Sequence, residues 1–524
     1  MRIKKEIVFD KEAREKLLRG VDILANAVTT TLGPRGRNVA IKEPNRDPVI
    51  LHDGVSVAKQ VILKDPLENI GAEILRSAAV KTNEIAGDGT TTATSLAHAI
   101  ITESMQAIAS GINPMVIKEQ IEKAYIKVIK ELQTLSKGIK TDKEAEQIAT
   151  ISSASAEIGK IVADAIKKVG KDGVVTVEES QSSQTYVDFK EGVEIDRGYL
   201  SANFVNQSDT KESIIENPYI LITDKKINHD YDIVGFLQKV KNAGVNDLVI
   251  IAGECVEEGL TTLVLNKLKG SFNLVVIQAP SYGVRRTDEL EDISILTGGT
   301  SILYESGRLL ESVEIEELGR AEKIKVSEDK TIIINGLGNK DVLKKRTDEL
   351  KSQIKIAQTQ YEKDARKERL AKLMGGVAVI YAGGPTEIEV KEKKERIIDA
   401  VNATKAAIEE GVVAGGQLAL TTIARMPFWG DESDFGATVL KKALTAPFKK
   451  LVENSGLDYA QVWGQLSKVE YPFGIDVTDG KIKDLIKSGI IDPLKVERVA
   501  LENAVSVAVM LMTTNCLIVD VDDE

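Results

Sequence analysis

The sequence predicts an α + α/β fold of about three domains, helical at both ends with an α/β segment between them. Three observations predict it. At roughly 150 residues per domain, 524 residues make about three domains, each large enough to bury a core without disulfides or metals. Apolar residues recur at helical spacing up to residue 135 and again after Lys391. In the middle, short β-branched runs alternate with helical segments, the pattern of a buried sheet.

In chain order, residues 10–32 carry Ala13, Leu17, Val21, Leu24 and Val28 near helical spacing. Residues 38–53 hold two short apolar runs, Val39-Ala40-Ile41 and Val49-Ile50-Leu51, separated by Pro44 and Pro48, which read as a hairpin. Helices are expected at 66–85, 90–109 and 114–135, the last with Ile117, Ile121, Ala124, Val128 and Leu132 on one face. Strands are expected at 173–177, 219–222, 248–252 and 274–277, with helices at 231–243 and 257–268. The charged stretch 340–374 reads as a solvated helix pair. From Lys391 the chain reads as helical until a final strand at 516–520. Gly192, Gly375-Gly376 and Gly411 stand where the pattern changes and are hinge candidates, although each also suits an ordinary turn.

Composition excludes several functions. With 69 Lys and Arg against 80 Asp and Glu, the net charge is −11, the wrong sign for a nucleic-acid partner. Two distant cysteines, Cys255 and Cys516, exclude a disulfide framework and fit a reducing compartment. Three scattered histidines do not make a zinc site. No apolar run approaches the ~18 residues of a membrane span, and residues 1–6 lead into no apolar signal core. A cytoplasmic protein is expected.

The strongest local motif is Gly87-Asp88-Gly89-Thr90-Thr91-Thr92-Ala93-Thr94. Two glycines let backbone approach a ligand closely, and threonines then open a helix whose free N–H groups favour phosphate. Asp88 suits such a site only if a magnesium ion bridges it to the phosphates. A glycine turn before a Thr-capped helix explains the same residues without a ligand. Neither GxxxxGK[ST] nor GxGxxG occurs, so a nucleotide site here is of another type. Asp399, an acid on an apolar-faced helix, reads on its own as a surface residue.

The motifs Thr31-Leu-Gly-Pro-Arg-Gly-Arg-Asn38, Asp53-Gly-Val-Ser-Val57, Gly87 to Thr94, Glu410-Gly-Val-Val-Ala-Gly-Gly416 and Asp492-Pro493, with Asp196-Arg-Gly-Tyr-Leu-Ser201, stand in one order along nearly the whole chain. That constellation resembles the group I chaperonins, the bacterial-type ring chaperones. The resemblance implies a three-domain chaperonin subunit: an equatorial domain of 1–134 and 410–524, an intermediate domain of 135–190 and 376–409, and an apical domain of 191–375. It implies an ATPase that captures non-native proteins in a heptameric ring, usually as two rings back to back, with a small lid co-chaperonin. The 38–51 loop is expected to pair with the chain termini of a neighbouring subunit.

Carried over residue by residue, the resemblance gives Thr31, Leu32, Gly33, Pro34, His52, Asp88, Gly89, Thr90, Thr91, Thr92, Gly416, Asp476, Val477, Thr478 and Asp492 to the nucleotide. Asp88 would hold Mg2+. Thr31, His52 and Thr91 would hold a monovalent cation such as K+. Asp399, helped by Asp53, would orient the attacking water. Tyr199, Phe204, Val234, Leu237, Leu260, Val264 and Leu265 fall on the client-binding groove. The chain departs from the family pattern at His52 for a lysine, Asn203 for a groove aromatic, Gln417 for a third glycine and Asp476-Val477 for a small polar pair, and it lacks the Gly/Met-rich tail. A group II chaperonin and an ATP-dependent small-molecule enzyme are the competing readings. The enzyme would need an acceptor site beside the phosphates, and no extra acid/base cluster marks one.

Overall fold

The computed structural model describes residues 4–521 apart from 43–48, 52, 140, 154, 171–172, 181, 209, 358 and 431–433. Its chain divides into two compact units, Met1–Ala163 with Glu395–Glu524, and Asp164–Lys394.

The first unit is a helical assembly whose boundaries follow from local chemistry. Helix Pro66–Ala86 opens with proline at its first position, where no N–H is missed, and Asp65 accepts from the N–H groups of Leu67 and Glu68. Helix Pro114–Leu135 repeats the device, with Asn113 accepting from Met115 N–H at 2.8 Å. Its predicted face, Ile117, Ile121, Ala124, Val128 and Leu132, is buried. Full burial of each such Ile or Leu contributes about 1.5–3 kcal/mol. Helix Leu494–Met512 packs against both Thr90–Ala109 and Pro66–Ala86 and is buried around most of its circumference. The expected hairpin is an antiparallel pair, Val39–Ile41 with Val49–Leu51.

Part of this unit departs from expectation. The described residues begin with a strand, Lys4–Phe9, which pairs antiparallel with Cys516–Val521. The stretch read as helical after Lys391 contains two small strand pairs, Val412–Ala414 with Ile491–Pro493 and Phe473–Asp476 with Lys481–Asp484. Strands of three or four residues are too short for an alternating pattern to show in sequence.

The second unit is built on an eight-stranded mixed sheet. Asn273–Gln278, Asp247–Ala252 and Tyr219–Thr223 run parallel, and Gly319–Val326, Thr331–Gly336 and Gly192–Ile195 continue it antiparallel. A separate three-stranded sheet has Val377–Ala382 between Val174–Glu179 and Tyr186–Lys190. Gly192 is the first residue of a strand, and a Cβ there would meet Ile333 O at 2.3 Å. The charged helices Lys340–Ile356 and Gln360–Gly375 are present, but not simply solvated. Arg346 and Arg369 both bond the buried Asp292, at 2.7 and 2.8 Å, which ties the pair to helix Gly283–Thr297.

Candidate functional site

Two glycines in the left-handed region turn the chain between successive helices. Gly87 (φ +70°) stops Pro66–Ala86, and Gly89 (φ +86°) begins Thr90–Ala109. Gly89 supplies no side-chain cap, and the first intrahelical bond is from Ala93 N–H to Gly89 O at 2.9 Å. The N–H groups of Thr90, Thr91 and Thr92 are therefore free of helix partners. Together with the helix dipole they make an anion-binding end.

The other predicted segments converge on this helix start. A Cβ on Gly54 would lie 2.4 Å from Thr91 Oγ1 and 3.0 Å from Thr90 Oγ1, so the Asp53–Gly54 turn lies directly on the threonines. Asp53 caps helix Gly54–Gln60 by accepting from Ser56 N–H at 2.8 Å. Thr31 Oγ1 is 3.4 Å from Thr91 Oγ1. The Asn402 side chain abuts the Gly87 turn, and Asp399 is three residues earlier on the same helix, hence on the same face. Gln417 Nε2 donates to Thr92 Oγ1 at 2.9 Å. Asp492 accepts from the backbone N–H groups of Gly416 and Gln417.

Four carboxylates share this space. Asp88 is reached by solvent, yet protein surrounds it closely enough that burial raises its pKa, and the charge of Asp53 raises it further. Burial, then the charges of Asp88, Asp53 and Glu395, push Asp399 up to about 8. Burial, then Asp88, push Asp492 up to about 6. So negative a site accepts a polyphosphate only with cations. Among the described residues no group of three or more His, Cys, Asp and Glu could hold a metal alone. Asp88 with phosphate oxygens suits magnesium, which takes one or two carboxylates and keeps waters.

Several predicted residues have other partners. Asp476 is engaged by the Thr478 N–H and hydroxyl at 2.9 and 2.5 Å and by Lys483 at 2.7 Å. Val477 is buried in an apolar cluster with Leu451 and Phe448. Both side chains thus already have partners within the protein. Thr478 instead gives its carbonyl to Arg35 Nη2 at 2.8 Å, and Arg35 Nη1 bonds Ser455 O at 3.1 Å, so this arginine braces its own loop. Leu32 packs against that cluster, while Gly33 and Pro34 are exposed. His52 lies outside the described residues.

The sequence singled out Gln417 only as a departure from the family pattern, and it gave no role to Asn402, Asn454 or Glu497, whose carboxyl lies close enough to Asp492 to feel its charge. Asn454 Nδ2 donates to Thr29 O and Leu32 O at 3.0 and 3.1 Å, holding the end of helix Asp10–Thr29. Glu497, an acid inside an apolar-patterned helix, carried a signal that went unused.

In the second unit the groove residues differ among themselves. Phe204 and Leu237 belong to the core, at 0% and 5% exposure, so their side chains cannot capture a partner in this conformation. An apolar side chain looks the same in sequence whether it lines a groove or a core. Tyr199, Val234, Leu260 and Val264 are half-buried, and Leu265 is exposed. Helices Val234–Asn242 and Glu257–Leu268 both contact the turn Asp230–Asp232, where Tyr231 is exposed, as is Leu268.

The sequence matches the profile of the TCP-1/cpn60 chaperonin family over residues 24–522. Among solved structures, the fold is similar to the chaperonin gp146 from the bacteriophage EL 2 (Pseudomonas aeruginosa), determined in the presence of ATP-BeFx. One crystal form matches with a TM-score of 0.73 and 21% identity, covering 98% of this chain and 99% of that one. A second form matches with a TM-score of 0.64 and 20% identity over the same shares.

Proposed function

The chain belongs to the TCP-1/cpn60 chaperonin family, and from that premise we propose that it is an ATP-hydrolysing, ring-forming folding chaperone of the group I type. The observation that carries the ATPase reading is the convergence of segments from residues 31, 53–54, 87–92, 399–402, 416–417 and 492 on one uncapped helix start. A related structure determined with ATP-BeFx supports the nucleotide. The motifs Gly36-Arg-Asn-Val39 and Asp196-Arg-Gly-Tyr199 support group I over group II.

In this reading the free N–H groups and hydroxyls of Thr90, Thr91 and Thr92 hold phosphate oxygens, with Thr31 to Pro34 alongside and Gly416 and Asp492 towards the nucleoside. Magnesium on Asp88 neutralises charge on the triphosphate, and Thr31, Thr91 and His52 suit K+. Asp399, with Asp53, orients the attacking water, so that catalysis is positioning and electrostatics. Burial, then the surrounding acids, favour the protonated form of Asp399 while that charge is uncompensated. Its ionised form, able to accept a proton from water, becomes available when that negative field is neutralised. This couples hydrolysis to a filled site.

The parts proposed are an equatorial domain (1–134, 410–524), an intermediate domain (135–190, 376–409) and an apical domain (191–375). The apical part takes unfolded clients and a small lid co-chaperonin on Tyr199, Val234, Leu260, Val264 and Leu265. The assembly is a heptameric ring, stacked in pairs, in the cytoplasm. Among the described residues no helix is long and apolar enough to cross a membrane.

Asp399→Ala tests the site. ATP turnover is expected to fall by about 100-fold or more, as for loss of a general base, with ATP affinity and assembly retained. Loss of binding in parallel with turnover would remove Asp399 from the water. Refolding of a denatured client, and ATPase activity without any small-molecule acceptor, test the function as a whole. A strict requirement for such an acceptor would favour the enzyme reading.

A further inference from the structure

Gln417 occupies the left-handed region (φ +61°, ψ +19°) at the N-cap of helix Leu418–Ala424. A Cβ disfavours that conformation, and glycine adopts it freely. The side chain does not turn outward. It is 9% exposed, and Nε2 donates to Thr92 Oγ1 at 2.9 Å. Its Oε1 is buried with no donor among the described residues, a second unfavourable feature. Two such costs on one residue, directly after two glycines, mark a side chain kept for where its amide points.

We infer that Gln417 is a positioning residue for phosphate binding: its amide fixes Thr92 Oγ1 as an acceptor, leaving the Thr92 hydroxyl proton to donate to a phosphate oxygen. This rests on the ATP-binding reading above. The contrast is with Thr94 on the same helix, whose hydroxyl donates to Thr90 O at 2.8 Å. That proton is consumed by the helix. Among the described residues the Thr92 hydroxyl makes no such bond; its partner is Gln417. A hydroxyl has one proton and two lone pairs. With a lone pair held by the amide, the proton is free for the cleft that the N–H groups of Thr90, Thr91 and Thr92 share. The backbone N–H of Gln417 meanwhile bonds Asp492, so one residue links the nucleoside and phosphate ends. The unpaired Oε1 remains as an acceptor for a donor that arrives with the nucleotide.

The test is Mg·ATP binding by calorimetry and turnover by phosphate release, on the full-length protein. Gln417→Gly suits the left-handed backbone, so it is expected to fold with a Tm no lower than the parent's. It is nonetheless expected to bind Mg·ATP about tenfold more weakly, the value of one hydrogen bond on a charged acceptor. In a Thr92→Val background the same change is expected to have no further effect, because both act through one contact. Gln417→Glu can only accept. It should turn the Thr92 proton away from phosphate and bind more weakly than Gln417→Gly. Parent-like binding by Gln417→Gly, or an undiminished tenfold loss in the Thr92→Val background, overturns the inference alone while ATP binding by the parent stands. A parent protein that does not bind Mg·ATP overturns the inference and the ATPase reading together.

Discussion

Glu497 is 2% exposed, and neither carboxyl oxygen has a hydrogen-bond partner among the described residues. Burial, then the charge of Asp492, raise its pKa well above the usual 4.5. A carboxyl more basic in the folded chain keeps a proton that the unfolded chain has released. Stability is therefore greatest below the unfolded value. It falls as pH rises above that, by at most about 1.4 kcal/mol per unit, and levels off past the folded value. Glu497→Gln is expected to remove that slope, so its Tm should exceed the parent's by a margin growing between about pH 5 and pH 8. A pH-independent margin would mean that another group titrates. At this scale the residues themselves marked only Asp88, set between glycines before a run of threonines; Asp53, Asp399 and Asp492 were reached through the resemblance, and Asp399 on its own read as a surface residue. The sequence was mute where conformation decides. Nothing in the letters Gly-Gly-Gln shows that Gln417 takes a left-handed turn and buries its amide.

Helices were legible because their ends are written in residue type. Pro66 and Pro114 at first positions, Asp65 and Asn113 as caps and Gly87 as a stop bring the expected spans within a residue of those observed. Strands were harder. Lys4–Phe9 finds its partner about 500 residues away, and no local pattern encodes a partner at that distance. Contacts between elements were also hidden. The end of helix Asp10–Thr29 and its loop are held by helix Ala446–Asn454 through the Asn454 amide, and Arg35 bonds the carbonyl that follows it. Because this clamp shapes the Thr31–Pro34 turn without touching a reacting atom, Asn454→Ala is expected to weaken ATP binding five- to tenfold, for roughly 1 kcal/mol of lost hydrogen bonding. Turnover at saturation should change less. A fall in turnover at unchanged affinity would place Asn454 on the water side instead.

At the scale of the molecule, the order helical, α/β, helical could be read from periodicity, but periodicity does not say that the first and last stretches make one unit. The residues that join them do: Lys4–Phe9 lies along Cys516–Val521 with Ile7 opposite Ile518. That ribbon leaves Ile7, Phe9 and Ile518 exposed, and the hairpin leaves Val49 and Ile50 exposed. Two-stranded ribbons with open edges and apolar faces are unstable partners for water and natural templates for another chain. In the ring proposed above, the hairpin of one subunit meets the terminal ribbon of the next. The hairpin strand ends at Leu51, two residues before Asp53, so in that ring a neighbour gripping Val49–Leu51 would also steady the carboxylate proposed to help orient the water. Ile518→Lys and Ile50→Lys lie on exposed positions, where surface substitutions change stability by no more than about 0.5 kcal/mol. Each subunit should therefore keep its Tm and circular dichroism while native mass shifts from ring to monomer. ATP turnover per subunit should fall with the ring in both variants, although neither residue touches the nucleotide. Intact rings in both would place the subunit contact elsewhere, and monomers with parent turnover would sever assembly from Asp53.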